Sequence, residues 1–353
     1  MKNQCPSLVE NTAALSQTEL FDAGMLRLAA ARIPKATTAP ALTTTAESDL
    51  VPPPKPPVLA YHEPENNIRL YHGDCLDLLD GIAAKNPDGI FDMVFADPPY
   101  FLSNNGSTCQ GGERVSVNKG QWDQSRGLRD DFKFTVAWLR RIKRVLNPGG
   151  TLWVSGTHHS IHLVGYVLQK LRFNILNDIA WEKTNPPPNL ACRQFTHSTE
   201  TLIWAARDDD TDHIFNYDLM RRVNRGSQMQ TVWRLNAPAP EEKKFGDHPT
   251  QKPITLVTRC LLAATCEGDF VFDPFLGSGT TAIACLRNRR RFVGVDSSAS
   301  YVALAMDRTK TEVGQGADLL VPKSEYRLPA DSLSHNWRTG DFNSEALTLP
   351  SAS

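Results

Sequence analysis

The stretch Asp92-Met93-Val94-Phe95-Ala96-Asp97-Pro98-Pro99-Tyr100 decides how the rest of the chain is read. Four successive apolar residues, Met93 to Ala96, make the pattern of a strand buried on both faces of a parallel sheet. Its end delivers an acid, a rigid turn and an aromatic ring to one place. Each proline fixes its own φ and lacks an N–H, so the pair holds carbonyls outward as acceptors. A carboxylate beside a fixed carbonyl matches the two hydrogens of one exocyclic amine, and Tyr100 offers a flat face to a base. Standing alone, the same residues also suit a strand-ending turn with a capping acid, so the neighbouring segments have to decide.

Upstream, Ile68 to His72 alternates like a strand and ends in Gly73-Asp74, and a helix from Cys75 to Ala84 leads into the Asp97 strand. Strand, helix, strand is the signature of a parallel sheet. Downstream, residues 101–131 are rich in Ser, Asn and Gly and read as a loop beside the acid that closes on substrate or DNA. A helix from Phe132 stops at Asn147-Pro148-Gly149-Gly150. Strands at Thr151–Ser155, Ile175–Lys183 and Glu200–Ala205 follow, with a helix from Ile161 to Leu171 between the first two. His158, His159 and His162 have no Cys or carboxylate at complementary spacing, so no metal site is expected.

Residues 208–247 lose apolar periodicity and interleave Arg221, Arg222, Arg225 and Arg234 with Trp233. Such a mixture suits contacts to phosphates and base edges, and equally a solvated surface excursion. Next, His248-Pro249-Thr250-Gln251-Lys252-Pro253 precedes a helix from Ile254 to Ala264. Its free N–H groups, with Thr250 and Lys252 alongside, fit a small carboxylate. The strand Phe270–Asp273 then runs through Pro274-Phe275-Leu276-Gly277-Ser278-Gly279-Thr280-Thr281 into a helix, and a further strand ends at Asp296. Glycine loop and acid stand at about the ~20-residue spacing of a nucleotide-binding unit. G-x-G-x-x-G is absent, so the loop fits an adenosyl group without phosphates better than a pyrophosphate.

The whole chain limits these readings. Its 353 residues, 41% hydrophobic and 22% charged, suffice for a globular protein with a real core, and no apolar run reaches the ~20 residues of a membrane span. A formal net charge of −1 does not advertise nucleic-acid binding, although a local basic face is enough for it. Seven scattered cysteines without a CxxC pair point to a reducing cytoplasm. Residues 1–60 carry Thr/Ala repeats and Pro52-Pro53-Pro54-Lys55-Pro56-Pro57, the composition of a flexible extension. The catalytic domain is expected over 61–310, with 311–353 as an irregular tail.

Together these motifs resemble the amino-group DNA methyltransferases. Asp97 to Tyr100 is similar to their catalytic motif, Asp273 to Thr281 to their S-adenosylmethionine loop, and His248 to Pro253 to the motif preceding that loop. Catalytic motif before cofactor loop is the circularly permuted order of the β class, and Asn185–Ala205 and Val232–Pro253 look closest to the MboII-like adenine methyltransferases. The resemblance implies a Rossmann-like α/β fold with a mostly parallel seven-stranded sheet and helices on both faces. It implies that Asp97, Pro98, Pro99 and Tyr100 receive the target base, Asp and Pro98 holding the amine and Tyr100 stacking on the ring. Around the cofactor it implies Asp273, Phe275, Gly277, Ser278, Gly279 and Thr280, with Asp296 on the ribose. Asp74 and Cys75 would lie at the adenine, and His248, Thr250 and Lys252 at the methionine end. The ribose acid is more often Glu in this family, and Asp296 is one methylene shorter. Double-stranded DNA is the implied partner, through Lys119, Arg193, Arg221, Arg222, Arg225, Trp233 and Arg234. A homodimer and a restriction endonuclease of the same site are further expectations. An N4-cytosine enzyme, usually with Ser in place of Asp97, and an inactive DNA-binding subunit stay open as alternatives.

Overall fold

The computed structural model describes residues 56–314 except 104–106, 111–112, 117–119, 121–122, 185, 187, 190–191 and 247. Most of the N-terminal extension and the segment after 314 lie outside the described residues. In chain order the strands are β1 (Val58–Glu63), β2 (Ile68–His72), β3 (Phe91–Ala96), β4 (Ser107–Gln110), β5 (Glu113–Ser116), β6 (Leu146–Gly156), β7 (Asn174–Lys183), β8 (Thr199–Ala206), β9 (Val232–Leu235), β10 (Phe270–Asp273) and β11 (Arg291–Asp296). The helices are α1 (Cys75–Lys85), α2 (Leu128–Val145), α3 (Ile161–Lys170), α4 (Tyr217–Val223), α5 (Ile254–Ala264), α6 (Thr280–Arg287) and α7 (Ala299–Gly314).

Nine of the described strands form one sheet in the order β1-β2-β11-β10-β3-β6-β8-β7-β9, and β4 and β5 pair separately as a hairpin. At its centre β2, β11, β10, β3 and β6 are mutually parallel, as the strand-helix-strand pattern predicts. β8 runs antiparallel between β6 and β7. The expected seven strands are therefore the middle of a mixed nine-stranded sheet. β1, antiparallel to β2, and β9, parallel to β7, lengthen its two edges.

Side chains of the central strands alternate between two cores, as a period of two requires. Met93 and Phe95 join one with Leu70, Val271, Phe292, α5 and α6. Val94 and Ala96 join the other with Phe272, Val293, α1, α2 and α3. Helices thus cover both faces, which is why these strands read as continuous apolar runs.

Residues 208–247 depart from the expected irregular excursion. Leu219, Met220, Val223 and Trp233 are buried in the first core, so α4 and β9 are part of the sheet's packing. Trp233 had been expected on DNA; instead its ring lies 6.0 Å from Trp153, and its indole N–H donates to Gln230 O. Trp153 in turn stacks on Trp204 at 4.9 Å between centroids. Trp153→Ala should leave a cavity under three strands and lower unfolding free energy by ~3–5 kcal/mol, seen as an earlier urea midpoint by tryptophan fluorescence or circular dichroism.

Candidate active site

Parallel neighbours end at the same edge, and here four of them end in acids. Asp74 follows β2, Asp296 ends β11, Asp273 ends β10 and Asp97 follows β3. Between them opens a cleft with about 1060 Å³ of space, open solvent at its mouth included, lined by all four carboxylates, Pro99, Phe134, Phe275 and the glycine loop. Clefts with apolar walls and a few fixed polar groups take small organic ligands.

The glycine loop is held from three sides. Asp273 spans it, accepting Phe275 N–H at 2.9 Å and the Thr281 hydroxyl at 2.6 Å. Asp296 accepts the N–H groups of Gly277 and Ser298, both at 2.8 Å. Arg308, reaching from α7 and 4% exposed, donates to Ser278 O at 2.6 Å, to Ser278 Oγ and to Thr280 Oγ1. Burial pulls the Arg308 guanidinium down to about 10. Both glycines are sterically required: a Cβ on Gly277 would sit 2.9 Å from His248 Nε2, and one on Gly279 2.8 Å from Ala305 Cβ, with φ at +49° and +78°.

The residues fit S-adenosylmethionine. Asp296 is already oriented by two backbone donors and can accept from ribose hydroxyls. Phe275, edge-on to Trp138 at 5.5 Å, gives an apolar wall for a purine. Asp74 caps α1 through Leu76 N–H at 2.7 Å, and the buried Cys75 lines the cleft beside it. The acids around the cleft suit a cation.

At the catalytic turn the side chains are tied together more tightly than the motif alone suggests. Tyr100 is 4% exposed, and its hydroxyl donates to Asp97 Oδ1 at 2.6 Å, lies 3.1 Å from Ser155 Oγ and reaches Glu200 Oε2 at 3.3 Å. Burial, then the Asp97 and Glu200 charges, push the phenol well up, so it stays a donor. Lys252, expected at the methionine end, lines the cleft and also donates to Asp97 Oδ2 at 2.6 Å, lying 3.7 Å from Glu200 Oε2. Burial alone would pull the lysine down; the two carboxylates outweigh it and hold its pKa above the ordinary value. Lys183 completes the cluster, 2.6 Å from Glu200 Oε1.

The start of α5 is also differently occupied than expected. Glu242, from a turn at Pro240–Lys243, accepts Ile254 N–H at 2.9 Å, so the chain's own carboxylate takes the helix terminus read as a cofactor anion seat. His248 and Thr250 still line the cleft, and their side chains approach one another at 3.4 Å.

Of the residues expected on DNA, Arg193, Arg222 and Arg225 are exposed, Arg221 folds back on Gly226 O at 3.1 Å, and Arg234 forks onto Glu182 with both contacts at 3.1 Å. Lys119 lies outside the described residues. Sequence reading missed Ser155, Lys183, Glu200, Glu242 and Arg308. Glu200 and Lys183 were visible only as strand residues, among other polar residues of the same strands.

The DNA methylase family matches residues 91–307. Type II methyltransferase M2.DpnII of Streptococcus pneumoniae is 47% identical over 249 residues, 70% of this chain and 91% of that protein. M2.MboI of Moraxella bovis is 43% identical over 248 residues, 70% and 89% of the respective chains. Among solved structures, the M1.HpyAVI–SAM complex aligns with a TM-score of 0.53 at 26% identity, covering 68% of this chain and 98% of its own. PvuII DNA methyltransferase, cytosine-N4-specific, shares the fold at a TM-score of 0.54 and 17% identity, over 69% of this chain and 86% of its own.

Burial raises the Asp273 carboxyl to about 7, against the opposing bonds from Thr281 and Phe275. A raised folded-state pKa contributes stability that is complete below the unfolded value near 3.9 and is lost as pH rises through about 7. Asp273→Asn removes that contribution, so the wild-type melting temperature should fall more steeply than the variant's between pH 5 and 8 when both are followed by scanning calorimetry.

Proposed function

Because the chain belongs to the DNA methylase family and is an S-adenosylmethionine-dependent DNA methyltransferase, we propose that its acceptor is the exocyclic N6 amine of adenine within a specific duplex site. The observation that carries this reading is Asp97 at the end of β3, opening into the same cleft as the glycine loop and Asp296. Asp rather than Ser at this position favours adenine over cytosine, and the two Type II relatives, each covered over about nine-tenths of its length, support a role beside a restriction endonuclease of the same site. The catalytic domain is assigned to residues 61–310, and a homodimer is part of the proposal.

When bound, S-adenosylmethionine supplies an electrophilic methyl on a positively charged sulfur. The chain's own groups orient the nucleophile. An adenine amine is weakly nucleophilic because its lone pair is delocalised into the ring. Asp97 and the Pro98 carbonyl would each accept one amine N–H, localising that lone pair and aiming it across the cleft. Each carboxylate oxygen has capacity for about two bonds, so Tyr100 and Lys252 leave Asp97 room for the amine. Lys252 holds one Asp97 oxygen in place at 2.6 Å, which fixes the direction in which the carboxylate accepts. The base must leave the duplex to arrive there, at a cost of a few kcal/mol. The Tyr100 ring is covered in this structure, so stacking on the base requires its face to be uncovered as the base enters. Exposed Arg193, Arg222 and Arg225 are assigned to phosphates; Lys119 joins them in the proposal, and Arg221 and Arg234 would have to exchange their present partners.

Asp97→Ala should retain cofactor affinity by calorimetry while tritiated-methyl transfer to DNA disappears; residual turnover above a thousandth of wild type would sink the role given to Asp97. Digesting the wild-type product to nucleosides separates N6-methyladenosine from N4-methylcytidine, and the cytosine product would overturn the choice of acceptor. Tyr100→Phe keeps the ring and removes one donor to Asp97. It should lower kcat about tenfold, the equivalent of one hydrogen bond of ~1.4 kcal/mol, as read by single-turnover kinetics.

A further inference from the structure

One buried carboxylate beside the catalytic turn has no part in the mechanism above. Asp123 is 1% exposed, and among the described residues its carboxylate accepts from Tyr100, Phe101, Leu102 and Ser103, the residues that follow Pro99. Its Oδ1 accepts the N–H groups of Tyr100 at 2.7 Å and Phe101 at 2.9 Å. Its Oδ2 accepts Leu102 N–H at 3.3 Å and the Ser103 hydroxyl at 2.9 Å. The backbone closes the same loop, Ser103 N–H donating to Asp123 O at 3.1 Å.

This geometry is an anion seat. Phe101 has φ +60°, a left-handed conformation that a bulky residue adopts only when its surroundings impose it. Successive N–H groups around such a residue converge on one point, as in the backbone nests that hold phosphates. Here the chain fills the nest with its own carboxylate. The β4–β5 hairpin falls in sequence between Ser103 and Asp123, the two ends that this clasp joins.

We propose that Asp123 is a positioning residue for methyl transfer: its carboxylate fixes the backbone that follows Pro99, and so sets the direction in which Asp97 and the Pro98 carbonyl face the acceptor amine. The proposal rests on the Asp97 turn being the methyl-transfer centre. Asp123 does not line the cleft that holds the glycine loop and Asp296, and its side-chain hydrogen bonds reach the acceptor turn alone among the described residues. A residue that merely stabilised the fold would reduce cofactor affinity and turnover together.

Asp123→Asn keeps the shape but turns an N–H donor toward the Leu102 N–H and removes the charge. The expected result is a kcat lower by about 30-fold, from one opposed and several weakened bonds, with S-adenosylmethionine affinity within about twofold of wild type. Ser103→Ala, which removes a single donor, should lower kcat about threefold. Hydrogen exchange supplies a readout independent of activity: amides of Tyr100, Phe101 and Leu102 should exchange faster in Asp123→Asn, with those of residues 277–279 unchanged. Wild-type kcat in Asp123→Asn would overturn the proposal, as would parallel loss of cofactor binding and turnover in both variants. Unchanged exchange at residues 100–102 would overturn it whatever the activity, whereas a wild-type protein that methylates no DNA would count against the functional reading alone.

Discussion

The buried ion pair between Lys252 and Asp97 is the contact on which the active site depends. The two residues stand 155 positions apart, one before α5 and the other after β3, and meet at 2.6 Å with the lysine 5% exposed. Four acids crowd one edge of the sheet, and like charges in a poorly solvated cleft repel and drive one another toward protonation. The Lys252 ammonium sets a positive charge between Asp97 and Glu200. Such a pair adds little to net stability, because desolvating both ions costs about what their attraction returns. Its value lies in aiming a particular carboxylate.

Around that pair the site is arranged in two halves with different methods of fixation. On the cofactor side, backbone N–H groups, Asp273, Asp296 and Arg308 hold the glycine loop from below and behind. On the acceptor side, side chains from β6, β7 and β8 hold Tyr100 and Lys252, through Ser155, Lys183 and Glu200. The antiparallel insertion of β8 is what makes the second half. Running opposite to its neighbours, it brings its beginning rather than its end to the catalytic edge, and Glu200 is its second residue.

Much of this was legible in the sequence where the physics is local. Buried parallel strands are apolar on both faces, so β3, β10 and β11 announced themselves, and the acids at their ends fell at one edge by topology alone. Short edge strands are harder to see. β1 buries Glu63 alone and β9 buries Trp233 alone, too little alternation to register against a basic background. The exchange of partners at Lys252 and at the start of α5 was illegible for another reason. A lysine beside a helix terminus suits an anion from any source, and only the folded chain shows that Asp97 and Glu242 supply the carboxylates themselves.

Arg308 gives the C-terminal helix a meaning beyond packing. The glycine loop is completed by a guanidinium that enters the chain about thirty residues later, on the last described helix. A cofactor site finished by α7 is assembled only when synthesis has passed Arg308, so a nascent chain that stops short of it lacks the clamp that holds Ser278 and Thr280. Dividing the protein between β11 and α7 would accordingly yield two pieces whose cofactor binding reports their reassociation, a natural basis for a conditional enzyme.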